Sequence, residues 1–351
     1  MNILDAAVAS AWAMEESALA GLLSVAAREH QVTPAALAAY RAEALKKADR
    51  AAMRDGVAIL SVEGPLFKRA NLMTELCGAT SYATLMRDLQ AAVDDVDVRA
   101  ILLNVDSPGG EASGVGEFAD AVKAVRGKKP IVAYAGDLAA SAAYWIGSAA
   151  DRLVIGKGAA LGSIGVRMTM SDASEREAKG GVRRFDFVSS QSPYKVSDPA
   201  KKAGAARIQA RIDVLANVFV AAVAENRGVT VAHVLDAFGK GDVLIGEAAI
   251  AAGMADGFGT FESTLAALAA EGDPFVGFSL PRAAAKVRPL AAVPDAASAI
   301  LAAFEMAQPR RAQPAIPPRI PGLTPRPVMS PRAPAEEAAV QAILEAARRR
   351  L

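Results

Sequence analysis

The amino-acid sequence predicts an α/β domain with a mostly parallel β-sheet over residues 56–268. Two observations carry this prediction. Short apolar runs of strand length alternate with segments whose apolar residues recur at helical spacing, and glycine or proline follows several of the runs. Strands that alternate with helices form right-handed βαβ units. We expect a spiral of such units rather than a doubly wound sheet, although periodicity alone does not separate the two topologies.

The predicted elements follow each other in regular order. The strands are buried apolar runs at residues 57–62, 100–105, 131–134 and 153–155. The helices are amphipathic or alanine-rich segments at residues 81–93, 113–125, 141–149, 200–226 and 230–237, followed by a strand-helix return at 242–253.

Two further segments flank this domain. Residues 1–52 are alanine-rich with leucines grouped on one face, which predicts a helical appendage. Residues 309–334 contain nine prolines and five arginines and no acidic residue, so they predict an extended, solvated tail. The predicted domains are therefore 1–52, 53–280 and 281–351, the last ending in a short helix.

Composition excludes several classes of function. The formal net charge of +1 gives no global field that would attract nucleic acid. Cys77 is the single cysteine and is expected to be a buried, inert thiol; with His30 and His233 as the only histidines, neither a cofactor nor a metal site is predicted. No apolar run reaches the roughly 18 residues of a membrane span, and the acidic N-terminus does not resemble a secretory signal. The expected location is the cytoplasm.

A first candidate for chemistry is the sequence Asp-Ser-Pro-Gly-Gly at residues 106–110, directly after a predicted strand. Strand ends of this kind are where α/β folds place ligands. Because Gly109 and Gly110 have no side chain, the backbone can approach a substrate and turn an N–H towards it. One of these N–H groups could form half of an oxyanion hole; an ordinary turn is the alternative.

The second candidate is Ser141, which lies between small residues at the start of a predicted helix. Its hydroxyl would be unshielded, and the N–H of Ala142 could complete the oxyanion hole. On this segment alone, a helix-capping role for Ser141 is the simpler interpretation.

Taken together, the glycine turn and the serine-headed helix about 30 residues later resemble the Clp protease and signal peptide peptidase A families of the crotonase-like superfamily. Three further segments are similar to the signal peptide peptidase A family in particular. They are Leu-Gly-Ser-Ile-Gly-Val at 161–166, Pro-Tyr-Lys-Val-Ser-Asp-Pro at 193–199, and residues 246–256, which begin with Gly-Glu-Ala and end with Asp. The resemblance implies a Clp/crotonase-like fold and a serine protease whose nucleophile is Ser141 and whose general base is Lys195.

A lysine can act as a base only if its amine loses a proton. Burial disfavours the ammonium form, so we expect Lys195 to be buried with its amine in hydrogen-bond reach of Ser141. The structural alternative is a solvated surface lysine, as expected for Lys201 and Lys202.

The absence of a membrane segment and the presence of the flanking regions resemble the bacteriophage head-maturation, or capsid-assembly, branch of the family. That branch implies protein or peptide substrates such as scaffold, shell or portal proteins, a homo-oligomer, and action in the host cytoplasm or inside the procapsid. Alternatives are a cytoplasmic signal-peptide-peptidase-like protease, a crotonase-type acyl-CoA enzyme with Glu111 as the candidate acid or base, and a non-catalytic scaffold. A Clp-type Ser-His-Asp triad is disfavoured, because the Clp family places its histidine about 25 residues after the serine, where this chain has Ala-, Gly- and Met-rich segments. His233 is instead expected to be a helix-face residue.

Overall fold

The computed structural model describes residues 11–19, 51–69, 80–170, 172, 174–183 and 185–270. His30, Cys77 and the predicted tail at 281–351 lie outside the described residues, as does most of the predicted N-terminal appendage.

The described strands are short, apart from the central ones. They are β1 Trp12–Met14, β2 Ala51–Arg54, β3 Val57–Glu63, β4 Leu66–Phe67, β5 Thr80–Ser81, β6 Ala100–Ser107, β7 Gly109–Glu111, β8 Ile131–Ala140, β9 Arg152–Ile155, β10 Ala160–Gly162, β11 Val243–Ile245 and β12 Gly257–Phe258.

The helices agree closely with those that the sequence predicts, with two short additions. They are α1 Tyr82–Asp94, α2 Val115–Val125, α3 Ala142–Ser148, α4 Ser174–Lys179, α5 Lys202–Arg227, α6 Val231–Ala237, α7 Glu247–Ala252 and α8 Phe261–Ala269, with a 3-10 turn at Gly239–Gly241.

The main sheet of the described residues is mixed, with a parallel centre. Its strand order is β11-β10-β8-β6-β3-β2, and β9 pairs with both β8 and β12. The pairs β3–β6, β6–β8, β8–β9 and β8–β10 are all parallel. The predicted α/β class with a largely parallel sheet is therefore confirmed.

Both faces of this sheet are covered. Along β3, Val57 and Ile59 join an apolar cluster with Leu265 and Leu268 of α8. The alternate residues of the strand join the larger core, which α1, α2 and α3 cover. Because parallel strands are buried on both faces, they are continuous apolar runs in the sequence.

The second sheet, in the order β1-β7-β4-β5, involves the N-terminal segment. β1 pairs with β7 in the antiparallel direction, and the side chains of Trp12 and Met14 are buried. The predicted helical appendage at 1–52 is therefore wrong at residues 12–14, and also at residues 51–52, where strand β2 begins. Pairing with a neighbouring strand overrides the helix propensity of an alanine-rich segment.

Among the described helices, none taken singly is long and apolar enough to cross a membrane. The pair α5 and α6 passes that test together by length and composition, with a bend of 102° between them.

Candidate active site

The turn after β6 is held by its own serine. Ser107 is fully buried; its hydroxyl donates to the carbonyl oxygen of Gly64 at 2.6 Å and accepts from the N–H of Gly109 at 3.1 Å. Gly109 has a φ of 96°, in the region that favours glycine. Because the N–H of Gly109 is engaged within the turn, Gly110 is the better candidate for an outward donor. A Cβ on Gly110 would overlap the backbone of Leu66 in β4, so no larger residue fits there.

Ser141 lies between β8 and α3 in a strained conformation. Its φ of 55° and ψ of −120° lie in a region that non-glycine residues rarely adopt. The backbone is fixed there because its N–H donates to the carbonyl oxygen of Gly162 at 2.6 Å and its carbonyl accepts from the N–H of Trp145 at 3.0 Å. Gly162 belongs to the glycine-rich segment at 161–166, which gives that segment a structural role in the site.

The hydroxyl of Ser141 is buried and makes no hydrogen bond to any residue that the structure describes. The residue is only 1% exposed, and its Oγ has no hydrogen-bond partner among the described residues. The side chain does not cap α3, so the capping interpretation is wrong. A buried hydroxyl without a partner costs free energy, and such groups in native structures often mark catalytic positions.

The two predicted segments converge on one point. A Cβ placed on Gly109 would lie 2.9 Å from the backbone nitrogen of Ala142 and 2.9 Å from Cβ of Ser141. The same position would overlap the carbonyl oxygen of Ala13 in β1. The structure therefore brings together the glycine turn, the start of α3 and the nucleophile candidate, as the sequence predicts.

Lys195 does not join this group. It is exposed in an irregular segment before α5, and its backbone N–H donates to the carbonyl oxygen of Ser192 at 3.0 Å. The expected burial of Lys195 is therefore absent in the single chain, because little of the surrounding segment packs on the domain. Nearby, the Arg207 guanidinium lies 4.3 Å from the ring centroid of Tyr194.

The acidic and histidine alternatives have other partners. Glu111 Oε2 accepts from the backbone N–H of Lys68 at 2.7 Å. His233 is exposed on α6 with its Nε2 2.9 Å from the carbonyl oxygen of Ala252, so its position on a helix surface is confirmed. Neither residue contacts Ser141 through the hydrogen bonds found among the described residues.

Aromatic packing and an ion pair hold the nucleophile helix from behind. Trp145 stacks on Phe219 of α5 with ring centroids 4.6 Å apart. The Tyr144 hydroxyl, whose pKa is raised by burial, donates to the carbonyl oxygen of Met254 at 3.0 Å. Next to it, Arg227 and Asp256 form two hydrogen bonds of 2.9 Å with side chains only 9% and 14% exposed.

Two carboxylic acids of this region have perturbed pKa values. Burial alone would raise the pKa of Asp256, but the hydrogen bonds and charge of Arg227 lower it below the ordinary value. Beside the glycine turn, desolvation raises the pKa of Asp106, and the negative charges of Asp137 and Glu63 add to the effect.

Several residues of the site have no signal in the sequence. The N-terminal strand β1 lies against the glycine turn, and Arg167 pairs with the other side of Trp12 through two backbone hydrogen bonds of 2.9 Å. A cavity of about 530 Å³ lies beside this strand, lined by Met14, Ser163 and Asp242 among others. Only the antiparallel pairing of β1 with β7 reveals that the N-terminal segment belongs to the site.

Comparison with known proteins identifies the family of this chain. Residues 123–273 match the model of Peptidase family S49. A putative protease of Synechocystis sp. is 30% identical over 54% of this chain and 69% of that protein. The chain belongs to Peptidase family S49.

Two relatives come from bacteriophages. The capsid assembly protease C of Escherichia phage lambda is 32% identical over 68% of this chain and 57% of that protein. The head-tail preconnector protein GP5 of Enterobacteria phage P21 is 34% identical over 58% of this chain and 40% of that protein. The matched regions thus span about half the length of these two phage proteins.

Proposed function

We propose that this chain is a serine endopeptidase with Ser141 as nucleophile and Lys195 as general base. The observation that carries the proposal is the buried, unbonded Ser141 hydroxyl on strained backbone, next to the glycine turn. Membership of a peptidase family supports the same reaction class.

The reaction proceeds in two steps. In the first, neutral Lys195 takes the Ser141 proton while Oγ bonds to the substrate carbonyl carbon, and the N–H groups of Gly110 and Ala142 donate to the resulting oxyanion. The lysine ammonium then returns the proton to the departing amine as the peptide C–N bond breaks. In the second step, Lys195 takes a proton from water as the water oxygen bonds to the acyl carbon. The bond between that carbon and Oγ then breaks, the lysine ammonium returns the proton to Oγ, and the acid product leaves with Ser141 and neutral Lys195 restored.

To act as a general base, Lys195 must be desolvated, because burial favours its neutral amine. Large apolar side chains are exposed along the segment that carries it: Phe185 is 72% exposed, Phe187 95% and Tyr194 48%. A second copy of the chain that covers these side chains would remove them from water and desolvate the lysine at the same time. We therefore propose that the active form is a homo-oligomer.

The oligomer is tested with light scattering at micromolar concentration. The variant Phe185→Ser/Phe187→Ser should form a smaller particle than the parent and lose peptide hydrolysis. A matched control is Val96→Ser, because Val96 is 91% exposed in a turn elsewhere on the domain. A parent protein that is a stable monomer and still hydrolyses peptides would contradict the proposal.

The nucleophile is tested with a serine-directed fluorophosphonate probe, read by intact mass. The parent should gain one adduct, and Ser141→Ala should gain none. Ser113→Ala is the control, since Ser113 is an exposed serine close to the glycine turn. Labelling of Ser141→Ala at the parent rate would show that another residue is the nucleophile.

For the substrate class, the phage relatives favour proteins of capsid assembly, acted on in the host cytoplasm or inside the procapsid. The test is cleavage of recombinant phage scaffold, shell and portal proteins by the parent and by Ser141→Ala, with casein as a non-cognate substrate. Cleavage of casein at an equal rate would favour a general peptidase of the signal-peptide-peptidase-like kind. We also propose that the domain has the Clp/crotonase-like spiral topology, which the resemblance to the Clp protease and signal peptide peptidase A families implies.

A further inference from the structure

The N-terminal segment at 11–15 runs along the glycine turn as a β-strand. Trp12 is in register with Glu111 and Met14 with Gly109. At the two ends of this pairing, the N–H of Glu15 donates to the carbonyl oxygen of Pro108 at 2.8 Å, and the N–H of Ala112 donates to that of Ala11 at 3.0 Å. The strand therefore occupies the edge of β7 next to the proposed oxyanion donor.

The other edge of the same segment is also paired. Trp12 and Arg167 exchange two backbone hydrogen bonds of 2.9 Å. Arg167 follows the segment that contains Gly162, whose carbonyl fixes the backbone of Ser141. The segment at 11–15 thus lies between two other segments of the protein, the glycine turn and the stretch that leads to Arg167. The carbonyl oxygen of Ala13 approaches the same side of Gly109 as the nitrogen of Ala142 and Cβ of Ser141.

Side chains anchor the segment in this position. Trp12 is 2% exposed and contacts Phe67 edge-to-face with ring centroids 5.8 Å apart. On the C-terminal side, the Glu15 carboxylate accepts from the N–H groups of Ser17 and Ala18 at 3.0 and 3.1 Å, and Leu19 is 1% exposed. Burial of this indole and this leucine stabilises the seated strand.

We propose that residues 11–15 are an intramolecular occupant of the peptide-binding groove and must leave before a substrate binds. The proposal rests on the proposed function. An extended peptide would make the same backbone hydrogen bonds to residues 108–112 and to Arg167, with a small side chain in the place of Ala13. A groove whose edges are already paired has no free donors or acceptors for a second strand. The apparent affinity for substrate equals the intrinsic affinity multiplied by the fraction of molecules in which the groove is empty.

The experiment locks the strand with a disulfide. In a Cys77→Ser background, Trp12→Cys and Glu111→Cys place two cysteines at directly paired positions of an antiparallel ladder, where Cα separations suit a disulfide. Diamide oxidises the two thiols to the disulfide, and dithiothreitol reduces it back. The probe is a fluorescein-labelled peptide that copies residues 10–19, and its binding is followed by anisotropy in a Ser141→Ala form, so that no turnover is needed.

We expect the oxidised protein to bind the probe at least tenfold more weakly than the reduced protein. The reduced protein should also bind more tightly than the parent, because the anchoring indole of Trp12 is gone. The single variants Trp12→Cys and Glu111→Cys are the controls and should not respond to diamide. Equal binding by the oxidised and reduced forms, or binding by neither, would overturn the proposal.

Two further readouts separate this inference from the proposed function. Hydrogen exchange should show protected amides at Trp12 and Glu15 that become labile when the probe binds to the Ser141→Ala form of the parent; unchanged protection would count against occupancy. With Ser141 present, the reduced double-cysteine protein should hydrolyse peptides at least tenfold faster than the oxidised form. If the redox-dependent binding is seen without any hydrolysis, the groove inference holds and the protease assignment fails.

Discussion

The ion pair between Arg227 and Asp256 behind the nucleophile helix gives a stability prediction with a clear magnitude. The variant is Asp256→Ala. It removes both 2.9 Å hydrogen bonds to the guanidinium and the 2.7 Å hydrogen bond that the carboxylate accepts from the N–H of Leu153. Of its hydrogen bonds within the described part of the chain, the Arg227 side chain, 9% exposed, would keep only the one to the carbonyl oxygen of Gly253.

Removal of one partner from a buried pair leaves an uncompensated charge, which typically costs about 3–5 kcal/mol. Against a total free energy of unfolding of about 5–15 kcal/mol, this is a large loss. The measurement is urea unfolding of the Ser141→Ala form, followed by circular dichroism, with the free energy extrapolated to water. We expect the midpoint to fall steeply while the denaturant slope stays the same.

A matched control exists in the same chain. Arg54 and Glu262 form the same two-bond geometry, with both distances 2.9 Å, but their side chains are 47% and 68% exposed. Because exposed pairs are weak, Glu262→Ala should change the midpoint little. The double variant Arg227→Met/Asp256→Leu should recover most of the loss of Asp256→Ala, since it leaves no unpaired charge. If Asp256→Ala costs no more than Glu262→Ala, the reasoning from burial is refuted.

Three further predictions concern pH, the turn and the base. The pKa of Asp256 is lower in the folded protein than its unfolded value of about 3.9, so the ionised carboxylate stabilises the fold above that pH. This contribution is lost as the pH falls through the folded pKa. The free energy of unfolding of the parent should therefore decline more steeply below about pH 4 than that of Asp256→Asn, and parallel curves would contradict the prediction. Gly109→Ala should reduce peptide hydrolysis about 100-fold or more, since its Cβ would lie only 2.9 Å from the nitrogen of Ala142 and 2.9 Å from Cβ of Ser141. Gly127→Ala, at a φ of 77° with nothing within 4 Å, should keep full activity, and equal activities of the two variants would refute the steric argument. Lys195→Arg should be inactive because arginine stays protonated, whereas Lys201→Arg should be active; full activity of Lys195→Arg would place the base elsewhere.

The sequence by itself determined the class of fold and the position of most elements of the core. Continuous apolar runs and helical periodicity arise from burial of both sheet faces, a property that local composition records. The sequence also pointed to Ser141, Ala142, Gly109 and Gly110 as a candidate site, because small residues and glycine follow the ends of two predicted strands. The structure brings Gly109 close to Ser141 and Ala142.

Tertiary structure alone decided what lies on top of this site. The alanine-rich segment around Trp12 has the composition of a helix, but its backbone pairs with β7 because the glycine turn offers an open edge. The single chain leaves Lys195 exposed, contrary to the predicted burial, for a related reason. A sequence motif can identify a candidate lysine, but the desolvation of that lysine depends on which distant surfaces pack around it. In this chain the segment that carries Lys195 is exposed. The pairing of a short edge strand and the covering of an exposed loop are set by contacts between residues far apart in the chain, and such contacts leave no periodic pattern in the sequence.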